Sequence, residues 1–232
     1  MPSPGHRYAL FHMSSIVNCV CRAAFVRCVR PRTENCSDSE HSWAFTFRKP
    51  AMSNENILPS VSTLRKDARK NIEEGAVTAG YSADRTEVLK QLNEALATEL
   101  VCVLRYRRHY FMARGIHARS VAAEFLEHSN EELAHADSLA ARIVQLGGEP
   151  DFAPDQLSKH SHAEYVAGAT LVDMIREDLV AERVAIDSYR SMIKYLGPND
   201  PTTSTLLKSI LAVEEEHADD LADLLEGLPH NE

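Results

Sequence analysis

Two short stretches of the sequence place a glutamate three positions before a histidine. Glu132 precedes His135 in EELAH, and Glu214 precedes His217 in EEEH. Residues three apart on a helix share one face, so each pair can direct a carboxylate and an imidazole toward one point. Carboxylate oxygens and imidazole nitrogens together suit iron or manganese ions. A single Glu-x-x-His also occurs by chance on many solvent-exposed helices, so its chemistry depends on the elements that carry it.

Four long segments with helical periodicity carry these residues. They are predicted at about 85–113, 118–146, 163–196 and 203–225. Each has an apolar stripe at helical spacing with a glutamate in the middle of the stripe. The two pairs lie in the second and fourth segments, and the first and third supply Glu99 and Glu182. A carboxylate on a core-facing stripe is costly unless it is paired or binds a metal, so the set predicts a centre for two metal ions.

The connections between the segments predict an all-α fold, a four-helix bundle. ARGIHA joins the first two segments and GPNDPTT joins the last two. Connections this short make each pair antiparallel neighbours. Between the second and third segments, GGEPDFAPDQLSKHSH is rich in Gly and Pro, and it is long enough to run the length of a helix. We therefore expect one long crossover between the second and third helices.

The N-terminal part of the chain differs from the bundle. Residues 1–51 contain seven basic and three acidic residues, the only tryptophan and no sustained period. Polar residues interrupt the apolar stretch in this part and no A-x-A cleavage site follows it, which disfavours a targeting peptide. We interpret 1–51 as a disordered leader or as residues upstream of a true start at Met52. Residues 52–84 then form an arm with a short helix, and 85–226 form the bundle.

The composition and charge of the chain favour some classes of protein and disfavour others. The chain has 232 residues, 44% hydrophobic and 6% aromatic, which is typical of a helical globular protein. Its formal net charge of −9 suits a protein that handles cations and disfavours a DNA-coating surface. We expect no membrane span, because no apolar run approaches about 18 residues. Four of the five cysteines precede residue 37 and Cys102 stands alone, which indicates a reducing, cytoplasmic compartment.

The bundle also resembles a known family. LNEALATELVCVLRYRRHYF, FLEHSNEELAHADSLAARIVQLGGEP, DLVAERVAIDSY and EEEHADDLADLL are similar to helices of bacterioferritins and of Dps-like proteins with the same type of di-iron centre, within the ferritin-like family. The resemblance covers about residues 87–225. It implies that Glu132 and Glu214 bridge two irons. It implies four terminal ligands: Glu99, His135, Glu182 and His217. It also places Tyr106 beside the centre, with either a catalytic redox role or that of a core aromatic whose hydroxyl is satisfied.

Two departures from bacterioferritins modify what the resemblance implies. Leu133 stands where bacterioferritins have a haem-binding methionine, so no haem is expected. After the fourth helix only GLPHNE follows, without the short fifth helix of bacterioferritins. This second departure favours the homo-oligomeric cage of twelve subunits found in Dps-like relatives. The paired cysteines of some of those relatives are missing, because Cys102 stands alone.

The ligand set and the resemblance together imply that the protein is a ferroxidase that stores and detoxifies iron. Fe²⁺ would be oxidised by dioxygen or hydrogen peroxide at a centre of two iron ions per chain, and ferric mineral would collect inside the cage. Manganese satisfies the same ligands, so a manganese catalase stays an alternative. A rubrerythrin-like peroxidase is disfavoured because CVC lacks the Cys-x-x-Cys spacing. A Dps-like DNA-protecting protein is the third alternative, with RKDARK (65–70) as its DNA-binding segment.

Two further groups of polar residues have less specific interpretations. Glu127 and Glu131, four apart on the second helix, either present carboxylates for mineral nucleation or form a solvated face. His160 and His162 are expected to be polar residues of the crossover loop.

Overall fold

The structure, a computed structural model, describes residues 58–116 and 118–227. Within these ranges it contains helices and no strands: α1 (Val61–Asp67), a 3-10 turn (Ile72–Glu74), α2 (Arg85–Met112), α3 (Ala118–Gln145), α4 (Pro154–His160), α5 (Leu171–Leu196) and α6 (Pro201–Gly227). Helices α2, α3, α5 and α6 form a four-helix bundle, in which α2 packs along α3 and α5 along α6. The predicted all-α bundle is therefore confirmed. None of these helices is long and apolar enough to cross a membrane. The interpretation of residues 1–51 concerns a part of the chain outside the described residues.

Side-chain caps set where the bundle helices begin. The Asp84 carboxylate accepts hydrogen bonds from the first-turn amides of α2. Thr170 and Asp173 form a reciprocal capping box at the start of α5. The predicted start of the third helix near residue 163 is therefore wrong by about two turns. The capping box begins the helix at Leu171, and residues 163–170 instead belong to the crossover.

The crossover between α3 and α5 runs along α2. It includes the short helix α4, so the expectation that His160 is a loop residue is wrong, because Pro154 starts a helical turn that ends at His160. Three side chains of α2 form hydrogen bonds with the crossover backbone. Residue numbers increase together along α2 and along the crossover, so the two run in the same direction. The hydrogen bonds join Asn93 Oδ1 to Asp151 N (2.8 Å), Thr98 Oγ1 to His162 N (2.9 Å) and Arg105 Nη1 to Glu164 O (2.8 Å).

Two glycines end α3 where it packs closely against α2. Gly147 has a φ of +77°, and Gly148 N donates to Ile143 O at 2.9 Å, as in a Schellman ending. A Cβ atom built on Gly148 would lie 2.5 Å from Leu89 Cδ2 of α2. A larger residue at this position would require the Leu89 side chain to move.

The core consists of two apolar clusters, one toward each end of the bundle. One includes Leu92, Leu96, Leu139, Ile143, Tyr189, Leu196, Leu207 and Ile210. The other includes Tyr106, Val121, Phe125, Ile175 and Leu221. On every bundle helix the central glutamate lies between residues of the first cluster and residues of the second. The fold thus leaves a buried polar layer at mid-bundle with apolar packing on both sides.

Candidate metal centre

Six side chains meet in this polar layer. All are buried, with His135 the most exposed at 9%. They form two groups in which the potential ligand atoms lie within 4.8 Å of one another. The first group is Glu99, Glu132, His135 and Glu214, and the second is Glu132, Glu182, Glu214 and His217. Because Glu132 and Glu214 belong to both groups, the arrangement offers two adjacent ion positions with two shared carboxylates.

Nδ1 of each histidine faces the carboxylates of its group. His135 Nδ1 lies 3.0 Å from Glu214 and 3.5 Å from both Glu99 and Glu132. The separations for His217 Nδ1 are 3.6 Å to Glu132, 3.8 Å to Glu214 and 3.9 Å to Glu182. Two ligands bound to one ion at about 2.1 Å lie about 3.0–3.4 Å apart. Small movements of these side chains would therefore place an ion at bonding distance from each group.

The atoms that face one another in the layer have no hydrogen-bond partners. They are Oε2 of Glu99, Oε1 of Glu132, Oε2 of Glu182, both Oε atoms of Glu214, and Nδ1 of His135 and His217. A buried polar group without a partner costs about 1–3 kcal/mol. Metal ions would satisfy all of these atoms at once. Four carboxylates and two imidazoles form a mixed oxygen and nitrogen set that suits iron or manganese.

Burial and mutual contact shift the pKa values of the layer. Burial is the main cause that raises the pKa of Glu99 to about 8, and the negative charge of Glu132 is the second. Burial would lower the pKa of His135, but the adjacent carboxylates of Glu132 and Glu99 outweigh it and raise the pKa to about 10. In the same way, contacts with Glu132 and neighbouring carboxylates overcome burial and raise the pKa of His217 to about 9. Without ions, protons therefore supply part of the positive charge that the layer requires.

Two buried tyrosines hold the outer carboxylates. Tyr106 donates to Oε1 of Glu182, and Tyr189 donates to Oε1 of Glu99. In both glutamates Oε2 stays without a partner and faces its group. Each tyrosine thus orients one carboxylate by binding the oxygen that the ion position does not use. The sequence drew attention to Tyr106 but not to Tyr189, although Tyr189 follows Glu182 by two helical turns on the same stripe.

His128 is a second buried residue near the centre for which the sequence pattern predicted no role. It is fully buried, and its ring stacks on that of His217 with centroids 3.9 Å apart. Burial, and then the neighbouring His217, lower its pKa to about 3. The position of His128 on the apolar stripe of α3 could have indicated that it is buried. The stripe alone does not show that its ring contacts His217 on another helix.

The other polar candidates lie outside the six-residue layer. His217 Nε2 donates to Glu131 Oε2 at 2.7 Å, so Glu131 is not only a solvated residue, whereas Glu127 is exposed. His162 forms a hydrogen bond of 2.8 Å between Nδ1 and Ser188 Oγ. Cys102 is buried, and burial raises the pKa of its thiol. The four cationic side chains within 65–70 are exposed, and one of them, Lys70, pairs with Asp67 at 2.7 Å.

Leu133, the position at which bacterioferritins have the haem-binding methionine, points away from the layer. Its side chain is 42% exposed on the outer face of α3, although Glu132 beside it is buried. The alternation follows from the helical period, which turns adjacent residues by about 100°.

The sequence and the structure of this chain are similar to those of known proteins. The sequence matches the family model described as ferritin-like domain over residues 89–230. It is 31% identical over 141 residues to the bacterioferritin of Mycobacterium avium, which covers 60% of this chain and 84% of the relative. It is also similar to the structure of a Bacteroides fragilis bacterioferritin-related protein described as a dodecameric thioferritin, with 32% identity, a TM-score of 0.61, and coverage of 62% of this chain and 88% of the other. Dps from Thermosynechococcus elongatus, with a TM-score of 0.59 over 60% of this chain and 90% of its own, is 24% identical and shows the fold alone.

Proposed function

The chain belongs to the ferritin-like domain family, and on that premise we propose that it is a ferroxidase that oxidises Fe²⁺ and stores the ferric product in a cage of its own subunits. One observation carries the proposal. The two four-residue groups share Glu132 and Glu214, so the layer offers two ferrous ions adjacent positions. Each ferrous ion gives one electron, and a pair of them matches an oxidant that accepts two.

In this proposal the shared glutamates bridge the two ions, and each ion has one further glutamate and one histidine. The first position uses Glu99 and His135, and the second uses Glu182 and His217. Four carboxylates carry four negative charges, which balance two ferrous ions in a site from which water is largely excluded. Oxidation adds two positive charges, and this excess favours departure of the ferric product toward oxide or hydroxide.

The electron balance identifies the products. Two Fe²⁺ with hydrogen peroxide and two protons give two Fe³⁺ and two waters. With dioxygen and two protons the same two electrons give two Fe³⁺ and one hydrogen peroxide. Both reactions consume protons, and the buried histidines are protonated at neutral pH before the substrate binds, because their pKa values are about 10 and 9.

We infer a homo-oligomeric shell of twelve subunits. The support is the relative from Bacteroides fragilis, which is described as dodecameric and shares 32% identity with this chain. A closed shell gives the ferric product an enclosed volume in which to accumulate. Iron in large excess over two ions per chain is therefore the expected state of the loaded protein.

The test of the function is the rate of Fe²⁺ oxidation in air, followed by the ferric absorbance. Glu132→Ala and His135→Ala should each lose the fast phase and keep the helical circular dichroism. The matched control is Glu127→Ala, which removes an exposed carboxylate of the same helix and should oxidise iron at the wild-type rate. Unchanged kinetics in both ligand variants would reject the ferroxidase. A native mass near twelve protomers with far more than two irons per chain would support storage, whereas two irons per chain would indicate an enzyme without storage.

A further inference from the structure

A third group of potential ligands lies next to the paired centre. Glu124 and His128 are one turn apart on α3, and Asp220 is on α6. One oxygen of each carboxylate and one ring nitrogen of the histidine lie within 4.8 Å of one another. None of these three residues belongs to the two groups that share Glu132 and Glu214.

The orientation of His128 shows that this group is more than an acidic cluster. Its side chain is 2% exposed, and Nε2 has no hydrogen-bond partner. Its other nitrogen, Nδ1, lies 3.4 Å from the hydroxyl of Tyr106, which donates its own proton to Glu182. The Tyr106 oxygen can therefore accept a proton from Nδ1, and in that tautomer Nε2 presents its lone pair. A neutral imidazole fixed through its second nitrogen is the usual form of a metal-binding histidine.

The distances at Nε2 fit a cation better than direct contact. Nε2 lies 3.4 Å from Glu124 Oε1 and 3.7 Å from Asp220 Oδ2. Neither of these oxygens forms a hydrogen bond with Nε2. Ligands bound at about 2.1 Å in a tetrahedral arrangement are about 3.4 Å apart. Three lone-pair donors face one another here, and a divalent ion between them would satisfy all three.

The group is accessible from the surface through an acidic pocket. Glu124 and Asp220 line an open pocket of about 330 Å³ together with Asp223. The side chains of Glu124 and Asp220 are 33% and 46% exposed, so their carboxylates bridge the pocket and the buried ring of His128. Behind that ring lies His217, stacked at 3.9 Å with an interplanar angle of 21°.

We propose that Glu124, His128 and Asp220 form a third cation site, which binds a first-row divalent ion between the acidic pocket and the paired centre. One imidazole and two carboxylates leave the remaining positions of the ion to water, as suits a site that exchanges its ion. The binding itself rests on this geometry alone. That the ion is Fe²⁺ on its way to the paired centre rests on the proposed function.

The test is the number of Zn²⁺ ions bound per chain by the metal-free protein, measured by isothermal titration calorimetry at pH 7.5. Zn²⁺ is not oxidised, so the readout is independent of ferroxidase activity. The wild type should bind three ions. The double variant Glu124→Gln/Asp220→Asn should bind two, because both substitutions conserve volume at half-exposed positions and remove two of the three ligands. Equal stoichiometry and affinity in this variant and the wild type would overturn the proposal.

The matched control is Asp223→Asn, which removes a charge from the same pocket but not from the ligand group. It should keep three ions with affinities within about threefold of the wild type. A loss as large as in the double variant would mean diffuse attraction by the acidic pocket and would overturn the site. A Glu132→Ala/Glu214→Ala variant should bind one ion, so failure of the paired centre is distinguishable from failure of the third site. In crystals soaked with Zn²⁺, an anomalous peak about 2.1 Å from His128 Nε2 is expected.

Discussion

Replacing Glu214 by leucine should stabilise the metal-free protein. Glu214 is fully buried, and neither of its carboxylate oxygens has a hydrogen-bond partner. Burial, and then the charges of Glu132 and Glu99, raise its pKa well above the usual range, which means that the folded protein disfavours its ionised form. Core substitutions usually destabilise a protein, so the expected sign is opposite to the common one.

The magnitude follows from what the substitution removes and keeps. Each buried polar group without a partner costs about 1–3 kcal/mol, and leucine fills a similar volume without a polar atom. His135 loses its 3.0 Å neighbour but keeps Glu99 and Glu132 at 3.5 Å. We therefore expect Glu214→Leu to raise the free energy of unfolding of the metal-free protein by about 1–3 kcal/mol. The same substitution should abolish the stabilisation by bound ions, which is about 2.7 kcal/mol at a free ion concentration of 100 times Kd.

Guanidinium unfolding followed by circular dichroism, with EDTA or with Mn²⁺, measures both effects. The matched control is Asp200→Leu, because Asp200 is also a buried carboxylate but is fully paired. Its oxygens accept from Arg142 at 2.9 and 3.1 Å, and from the Thr203 amide at 2.9 Å and hydroxyl at 2.6 Å. Asp200→Leu should lose about 3–5 kcal/mol and keep the response to Mn²⁺. A metal-free Glu214→Leu protein less stable than the wild type would refute the interpretation of the layer as a set of unsatisfied ligands.

Four further predictions concern the same centre and its surroundings. Zn²⁺ binding at pH 7.5 should release at least two protons per chain, because His135 and His217 must deprotonate before they bind. For the same reason the affinity for Zn²⁺ should rise with pH up to about 10. Calorimetry in buffers of different ionisation enthalpy measures the number of protons released. Tyr106→Phe should weaken ion binding about 10–100-fold by releasing Glu182, whereas Tyr110→Phe, one turn later, should not. Reconstitution with haem should give no Soret band, since Leu133 has no thioether, and a stoichiometric band would contradict this. A variant that begins at Met52 should oxidise Fe²⁺ and assemble like the full chain, because all six centre residues follow residue 85; failure to assemble would show that residues 1–51 have a structural role.

The sequence predicted the bundle and the six-residue layer because both depend on local periodicity. An apolar stripe and a pair of residues three apart are fixed once a segment is helical, whatever it packs against. Periodicity predicted the wrong start for the third helix, because the periodic pattern continues back to about residue 163. The capping box of Thr170 and Asp173 and the contacts of α2 with residues 163–170 override that pattern. Helix α4 was missed because the surrounding Gly and Pro residues are typical of a loop.

By itself, the sequence determined which side chains share a helix face, and therefore that four glutamates and two histidines point into one core. Only the tertiary structure decided how these residues divide into two groups, since that depends on the relative position of four helices. It also brought Tyr189 to Glu99, stacked His128 on His217, and placed Asp220 beside Glu124. Each of these pairs joins residues from different helices. No spacing along the chain encodes such contacts, because they arise from the packing of one helix against another.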